Sequence, residues 1–589
     1  MASQEKSSVS VVFGKEIPSG YFVRHSGEVV VADAIFREEA ESFGCRFIDK
    51  DTLMLPGSVY EAADFLDELA FLKFPDGTRI SKAFTYEGYE LWWMHYGSLF
   101  TYFCEPYSRY KKLLEYLRDF RTIRLYGLPY KNLFIYYLRA YGCDVVVLRD
   151  AGVRSPSFLP FGVLLQIVLT LISLPLLAVD RRPLMLFIGD KFEKNRDYDF
   201  RMGFVYEELR KRHIRFVEFI RSLEPWQTIL RNALVRRRPV VYSEAVSFVA
   251  SFASILSGGR AHARRTLAAR SVRVTDSEAR FRLSVATQYL PFVCDDVWSL
   301  RIMRLIMRLI GIRAAFITAT SERNAHAVLG CKLNSIPTVG LLHGVASRYG
   351  TPYDFLAGFD GKKRLSVDFY GLWSEWWKNY YIKNSCAYAP DQLYVSGPMR
   401  PLVGANDILP DNHRRGSLRI LFISEQLAEP SEILPYLKKL MTRNDLTLIL
   451  KFRPYRDAFE EWLKEHAPDI LRDGSLHIVR GSMQEAITNS DIVVGSYSTA
   501  ALEAFMQLKI PIFIYTRKWG DYYRMRDAEE TRRFLVENPE DLMARIGDAQ
   551  TTPNRLLLDL RKRYFGDPRR NGSAWVVDKV EQLFKQTQR

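Results

Sequence analysis

From Leu184 onward, short runs of aliphatic and β-branched residues alternate with longer stretches whose apolar positions repeat at helical spacing. Leu184–Ile188, Pro239–Tyr242, Ala314–Thr318 and Thr338–Leu342 read as strands, with helices filling much of residues 244–310. A second series begins near Ser417, with strands at Leu418–Ser424, Leu446–Phe452, His477–Arg480, Asp491–Val494 and Pro511–Tyr515. Such alternation predicts parallel sheets, because a crossover helix returns the chain to the same end of the sheet. The pattern therefore predicts two doubly wound, Rossmann-like α/β domains, at 183–400 and 401–589. Roughly residues 345 to 416 connect the two series, and a ligand cleft lies outside the carboxyl ends of the strands.

The first 150 residues are less regular. Thr122–Gly127, a helix over Asn132–Tyr141 and Asp144–Leu148 predict one β-α-β unit in an N-terminal α/β region over 1–150, which either joins the first sheet or stands alone. No charge interrupts Ser157–Val179, and Arg154 and Arg181 flank it. About 20 apolar residues cross a bilayer, but Pro160 and Pro175 break the helical pattern near both ends, and the similar basic flanks give no orientation. Segment 151–182 thus reads as a membrane-inserted or interfacial hairpin, with a buried core helix as the alternative. Trp298–Ile310, where Arg301, Arg304 and Arg308 border a Leu/Ile/Met face, adds a basic amphipathic helix of the kind that rests on lipid head groups.

Charge and cysteine content narrow the partners. The net charge of +15 gathers in one region, through Arg231, Arg236, Arg237, Arg238, Arg260, Arg264, Arg265, Arg270, Arg273, Arg280 and Arg282. Such a field attracts anions. No nucleic-acid-binding pattern accompanies it, so an anionic membrane surface is the expected partner and nucleic acid is not. The six cysteines, at 45, 104, 143, 294, 331 and 386, lack paired spacing, which argues against a zinc site or a disulfide framework and fits a reducing compartment. The polar start of the chain shows no cleavable signal. A cytoplasmic protein at the inner face of the cell membrane is expected.

Candidate chemistry sits at four strand ends. Asp491-Ile-Val-Val-Gly-Ser-Tyr-Ser-Thr-Ala-Ala-Leu-Glu-Ala504 leads an apolar strand through Gly495 and Ser496 into a helix. The first helical turn offers backbone N–H groups to an anion, joined by the Ser498 and Thr499 hydroxyls and the helix dipole. Glu503, one turn on, is placed to accept from ribose hydroxyls. A nucleotide-sugar phosphate socket is predicted, with an ordinary helix cap as the plain alternative. Thr338–Gly344 delivers His343 to a strand end, to donate to a phosphate or sugar hydroxyl or to transfer a proton, and Gly344 lets the backbone turn. In Leu448–Pro454, Lys451 and Arg453 occupy alternate positions, predicted to share one side and to neutralise a leaving phosphate. Glu322, after the strand 314–318, is a candidate general base toward an acceptor hydroxyl. The aromatics of Tyr86–His95 and Trp373–Trp377 either stack on sugars or fill cores. No Asp-x-Asp is read at a strand end, so no metal is expected; the cations and the helix terminus supply the electrostatics instead.

The order of these elements, His343-Gly344, then Ser396-Gly-Pro-Met-Arg400, then Lys451-x-Arg453-Pro454, then Gly495–Ala504, resembles the GT-B class of glycosyltransferases. Within it the chain is most similar to bacterial surface- and capsular-polysaccharide enzymes: Kdo transferases, polysialyltransferases and teichoic-acid glycerophosphotransferases. These carry Gln-His-Gly, Lys-x-His-Pro and Ser/Thr-x-x-x-Glu elements in that order. The likeness covers about residues 184 to 530. It implies that His343 and Gly344 match the His-Gly, Lys451 and Pro454 the basic-Pro element, and Ser498, Thr499 and Glu503 the nucleotide-binding element. Glu322 resembles a Glu that precedes the His-Gly strand in some of these proteins. The chain departs at Leu342, where the family often has Gln, and at Arg453, where it often has His; an arginine binds phosphate but does not act as acid or base near neutral pH.

The reading that follows is a metal-independent GT-B glycosyltransferase moving a sugar from a nucleotide-sugar donor to a lipid-linked or polysaccharide acceptor. The nucleotide sugar is a substrate and no separate cofactor is expected. A nucleotide-sugar 2-epimerase of the same fold and a non-enzymatic polysaccharide-assembly scaffold are the alternatives.

Overall fold

In the computed structural model of this chain the described residues are all but 1–5, 15–16, 19, 151–158, 191–196, 199–201, 272–273, 319–321, 345–364, 403–416, 426–427, 454–456 and 587–589. They form three larger sheets and a two-stranded pair. The first sheet contains β1 (Lys6–Val12), β2 (Val29–Ala32), β3 (Arg46–Asp49), β6 (Phe120–Leu128) and β7 (Asp144–Asp150), in the order β3-β2-β1-β6-β7. The pair β4 (Thr85–Tyr86) and β5 (Tyr89–Glu90) is antiparallel. The predicted N-terminal β-α-β unit is thus β6, the helix Lys131–Ala140 and β7; it belongs to this separate sheet and not to the one that contains Leu184–Ile188.

The second sheet runs β10-β9-β8-β11-β12-β13-β14, with β8 (Leu184–Gly189), β9 (Phe216–Arg221), β10 (Val240–Tyr242), β11 (Ala314–Ile317), β12 (Thr338–Leu341), β13 (Phe369–Leu372) and β14 (Leu393–Val395). The third runs β17-β16-β15-β18-β19-β20, with β15 (Leu418–Ile423), β16 (Leu446–Lys451), β17 (Leu476–Val479), β18 (Ile492–Gly495), β19 (Ile510–Ile514) and β20 (Leu535–Val536). Every residue of β18 and β19 is buried, as parallel strands covered on both faces require. All three sheets wind outward from their first strand in both directions, and the two windings part between β1 and β6, β8 and β11, and β15 and β18. Doubly wound sheets hold ligands at the carboxyl ends of such neighbours.

Contacts divide the chain into two compact units, Met1–Asp180 with Phe219–Ile310 and Ser321–Gly330, and Arg181–Glu218 with Gly311–Thr320 and Cys331–Arg589. The second unit contains β8, β11 to β14 and the whole third sheet. Within it the last helix, Gly572–Gln586, packs against β11, β12 and β13. Gly371 permits that approach, since a Cβ there would lie 2.7 Å from the Trp575 ring.

Two expectations change. The segment read as a connection, 345–416, contains β13 and β14. The Ser157–Val179 stretch is not a hairpin: Leu159–Val179 is one helix with Pro175 inside it. Pro160 falls in the first turn, where a missing N–H breaks no intrahelical bond.

Candidate functional site

The third sheet places its helix start where the sequence pattern puts it. β18 ends at Gly495, and the helix Thr499–Met506 follows with Ser498 as its cap, the Ser498 hydroxyl accepting from Ala500 N at 3.3 Å. Glycine leaves room at 495: a Cβ would stand 3.0 Å from both Ala501 Cβ and Glu425 Oε1, and these neighbours would have to give way. Tyr523 holds the loop by donating its hydroxyl to Tyr497 O at 2.7 Å.

Glu425, just beyond β15, occupies the gap between β15 and β18. Its Oε1 accepts from Ser496 N at 2.6 Å and from Ser498 N at 3.4 Å. Backbone donors that the sequence pattern reserves for a phosphate are thus held by the chain's own carboxyl. Burial drives the Glu425 pKa up to about 8, although the two amide bonds and Arg453 oppose it. Near neutral pH this group is largely a neutral acid. Among the described residues its Oε2 and the Ser496 hydroxyl are both buried without a hydrogen-bond partner, a pair of polar atoms at the point where a doubly wound sheet receives its ligand.

The end of β12 meets the same helix. Trp373 donates its indole N–H to Leu342 O at 2.7 Å and stacks on Phe565 at 5.4 Å, which fixes the turn carrying His343 and Gly344. A Cβ on Gly344 would lie 3.1 Å from Thr499 Oγ1. His343, Trp373, Arg400, Glu503 and Phe565 line one hollow beside this contact, with Pro398, Met399 and Met506. Arg400 Nη2 stands 3.2 Å from Glu503 Oε1. Burial raises the Glu503 pKa and Arg400 opposes the rise. Arg400 is positioned by the segment 396–402, which Gly572 N pins through Pro398 O at 2.9 Å and Ser573 Oγ through Met399 O at 2.8 Å.

The remaining predicted residues are placed differently. Lys451 ends β16, is buried and donates to Phe452 O at 2.8 Å; burial lowers its pKa against the pull of Asp457. Arg453 is exposed, its amide bonded to Asp457 Oδ2 at 2.9 Å. The strand stops at Lys451, so the pleat that would put both cations on one side does not reach Arg453. Lys451 and Ser498 are not among the residues that line the hollow. Pro454 lies outside the described residues. Glu322 is the first residue of the helix Glu322–Lys332 and clusters with the first unit. Asp197-Tyr198-Asp199 does spell Asp-x-Asp; Asp199 lies outside the described residues, and Asp197 Oδ1 pairs with Arg210 Nη2 at 2.6 Å. Among the described residues no three His, Cys, Asp or Glu side chains group as metal ligands.

The aromatic runs serve mainly the core, although Trp373 also lines the hollow. Trp373 and Trp377 are buried, the latter donating to Tyr564 O at 2.9 Å, and Trp92 donates to Ala286 O at 2.8 Å. Glu425 carries no local signal, since its partners lie 71 and 73 residues away. Arg400 sits in the Ser-Gly-Pro-Met-Arg segment whose order with the other motifs was legible.

No family model matches the chain. Among solved structures it is similar to a glycosyltransferase from Rickettsia africae (12% identity, TM-score 0.37, covering 69% of this chain and 99% of that one). It is also similar to MurG from Acinetobacter baumannii (11%, 0.37, 68% and 99%) and to UDP-GlcNAc 2-epimerase from Methanocaldococcus jannaschii, solved with UDP-GlcNAc and UDP (11%, 0.41, 68% and 99%). None of these shares enough with the chain to assign its activity.

Proposed function

We propose that the chain is a GT-B glycosyltransferase that moves a sugar from a nucleotide-sugar donor to a lipid-linked or polysaccharide acceptor in surface-polysaccharide assembly. The approach of the His343–Gly344 turn to the Thr499 helix start, over a hollow shared by Arg400 and Glu503, carries this reading. The order of motifs along the chain supports it. Glu503 accepts from the ribose hydroxyls, while the Thr499 hydroxyl and the Gly344 backbone meet the phosphate. Arg400 and Arg453 balance the charge on the departing nucleotide, Lys451 adds positive potential behind the loop, and Gly495, Ser496 and Ser498 shape the loop itself. His343 donates to the donor's sugar or phosphate. As the acceptor oxygen attacks the anomeric carbon its proton passes to a general base, and the glycosidic electron pair leaves on the nucleotide phosphate oxygen.

A thermal-shift series with CMP, CDP, UDP and GDP tests the binding half. A nucleotide at a hundred times its dissociation constant stabilises the fold by about 2.7 kcal/mol, and a flat response to all four rejects the reading. Transfer is expected to persist in EDTA; loss that Mg²⁺ or Mn²⁺ restores makes the reaction metal-dependent. Donor turnover without any acceptor assigns a 2-epimerase instead.

A further inference from the structure

The first unit exposes apolar side chains on three helices that pack together, Leu159–Val179, Trp226–Arg236 and Ser243–Leu256. On the first, Phe161, Leu164, Val168, Leu171, Ile172, Leu176 and Val179 are all exposed, at spacings that place them along one side. Leu230, Leu234 and Val235 are exposed on the second, and Phe248, Val249, Phe252, Ile255 and Leu256 on the third. Phe161 meets Trp226 edge-on at 5.3 Å, which joins the first two faces. Soluble monomers rarely show more than a few hundred Å² of continuous apolar surface.

The opposite side of Leu159–Val179 is anchored in protein. Gln166 Nε2 donates to Ser222 O, the Thr170 hydroxyl accepts from Tyr242 N and the Ser173 hydroxyl accepts from Val240 N, each at 3.1 Å. Gln166, Thr170 and Ser173 are buried on one helical stripe; Thr170 and Ser173 satisfy the outer backbone of β10, the edge strand of its sheet, and Gln166 holds the residue that follows β9. Drawing this helix across a bilayer would bare that edge and leave three polar side chains in hydrocarbon. Length and hydropathy alone qualify Phe161–Val179 as a span; these bonds argue against it.

Charge identifies what covers the apolar face. Pro225–Ser271 contains eight arginines and a single carboxylate, Glu244, which Arg221 and Ser222 engage. Arg231 and Arg237 are exposed beside Leu230 and Leu234, and Arg264 and Arg265 are exposed on the helix Gly259–Ser271 that follows Leu256. Apolar side chains rimmed by arginine match a bilayer interface with anionic head groups.

We propose that these three helices form a monotopic docking face that enters one leaflet of an anionic membrane, with Leu159–Val179 lying in the interface and not spanning it. The inference stands apart from the nucleotide-sugar reading. The full chain is expected to float with phosphatidylglycerol–phosphatidylcholine vesicles and at least tenfold less with phosphatidylcholine alone. Leu171→Glu with Phe252→Glu, both at exposed positions, should lower the bound fraction at least tenfold with an unchanged melting curve, and Arg264→Glu with Arg265→Glu should abolish the lipid preference. No vesicle binding by the folded parent chain overturns the proposal. So does a concentration-dependent dimer that Leu171→Glu with Phe252→Glu dissolves without any lipid binding, since the face then belongs to a second copy. In sealed vesicles, tags at both termini should be cleaved by external protease; protection of one of them means that the helix spans.

Discussion

Two buried carboxyl groups, one in each unit, meet opposite surroundings. Asp296 accepts from or shares protons with His95 Nε2 at 2.7 Å and His326 Nε2 at 2.8 Å. Glu425 has two backbone amides and, more distantly, Arg453. Burial pushes both upward. The imidazoles overcome it at Asp296 and hold that carboxyl down at about 2, whereas at Glu425 burial wins and the value is about 8. Asp296 is therefore a charged tie between the turn ending at Met94, the helix Val293–Ile310 and the helix Glu322–Lys332. Glu425 holds a proton at the strand ends where β15 and β18 part. Perturbed groups in crevices are where chemistry is sought; perturbed groups in closed ion clusters more often serve the fold.

Removing the tie is the largest expected break. Asp296→Ala leaves two imidazoles without their shared acceptor, and loss of one partner from a buried ionic cluster costs about 3–5 kcal/mol. Urea unfolding should register it without any change in nucleotide affinity. Because the folded value lies below the roughly 4 of an unfolded aspartate, the stabilisation is complete above about pH 4 and is lost as pH falls through about 2. A variant as stable as its parent would dissolve the contrast between the two carboxyls.

Glu425→Gln comes next and works in the other direction. With a raised folded value, the unfolded chain gains by ionising first, so stability declines as pH rises from about 4 to about 8 and levels off above. The amide keeps an acceptor for Ser496 and Ser498 N–H but cannot ionise. The variant should therefore be more stable than the parent above pH 8, by a few kcal/mol at most, and its stability should lose this pH slope. A parallel pair of pH–stability curves would show that Glu425 titrates normally.

How far these features were legible depends on sequence distance. The β18–Gly495–Thr499 transition is local, so an apolar run, a glycine and a capping serine were enough to place it. β13 and β14 were missed because Phe-Tyr-Gly-Leu and Leu-Tyr-Val are not the plain aliphatic or β-branched runs that marked the other strands, and only neighbours in the sheet define them. His95, Asp296 and His326 meet across 201 and 30 residues, and no spacing rule joins them. The uncharged stretch at Ser157–Val179 was conspicuous, but its hydrogen bonds to Ser222, Val240 and Tyr242, which tie one side of the helix to protein, reach across 56, 67 and 72 residues and were invisible.

Gly344→Val separates binding from folding. The added side chain starts 3.1 Å from Thr499 Oγ1, so the hydroxyl must yield and the helix start retreats. Affinity for the best nucleotide in the thermal-shift series should fall about tenfold, roughly 1.4 kcal/mol, and the apo melting temperature should change little. A drop in apo stability as large as that of Asp296→Ala would place the Gly344–Thr499 contact on the side of structure.

Arg400→Ala has the smallest effect on stability and the most specific consequence. Its side chain is 42% exposed while Glu503 is 8% exposed, and half-exposed ion pairs contribute no more than about 1 kcal/mol. Arg400 is nevertheless what opposes burial at Glu503. Without it the carboxyl holds its proton to higher pH and accepts fewer hydrogen bonds from ribose hydroxyls. The low-pH limb of nucleotide affinity should therefore move upward in the variant, while Arg400→Lys, which keeps the charge, should restore most of it. An unshifted limb in Arg400→Ala would mean that burial sets Glu503 without help from Arg400 and that the ion pair in the hollow has no part in nucleotide binding.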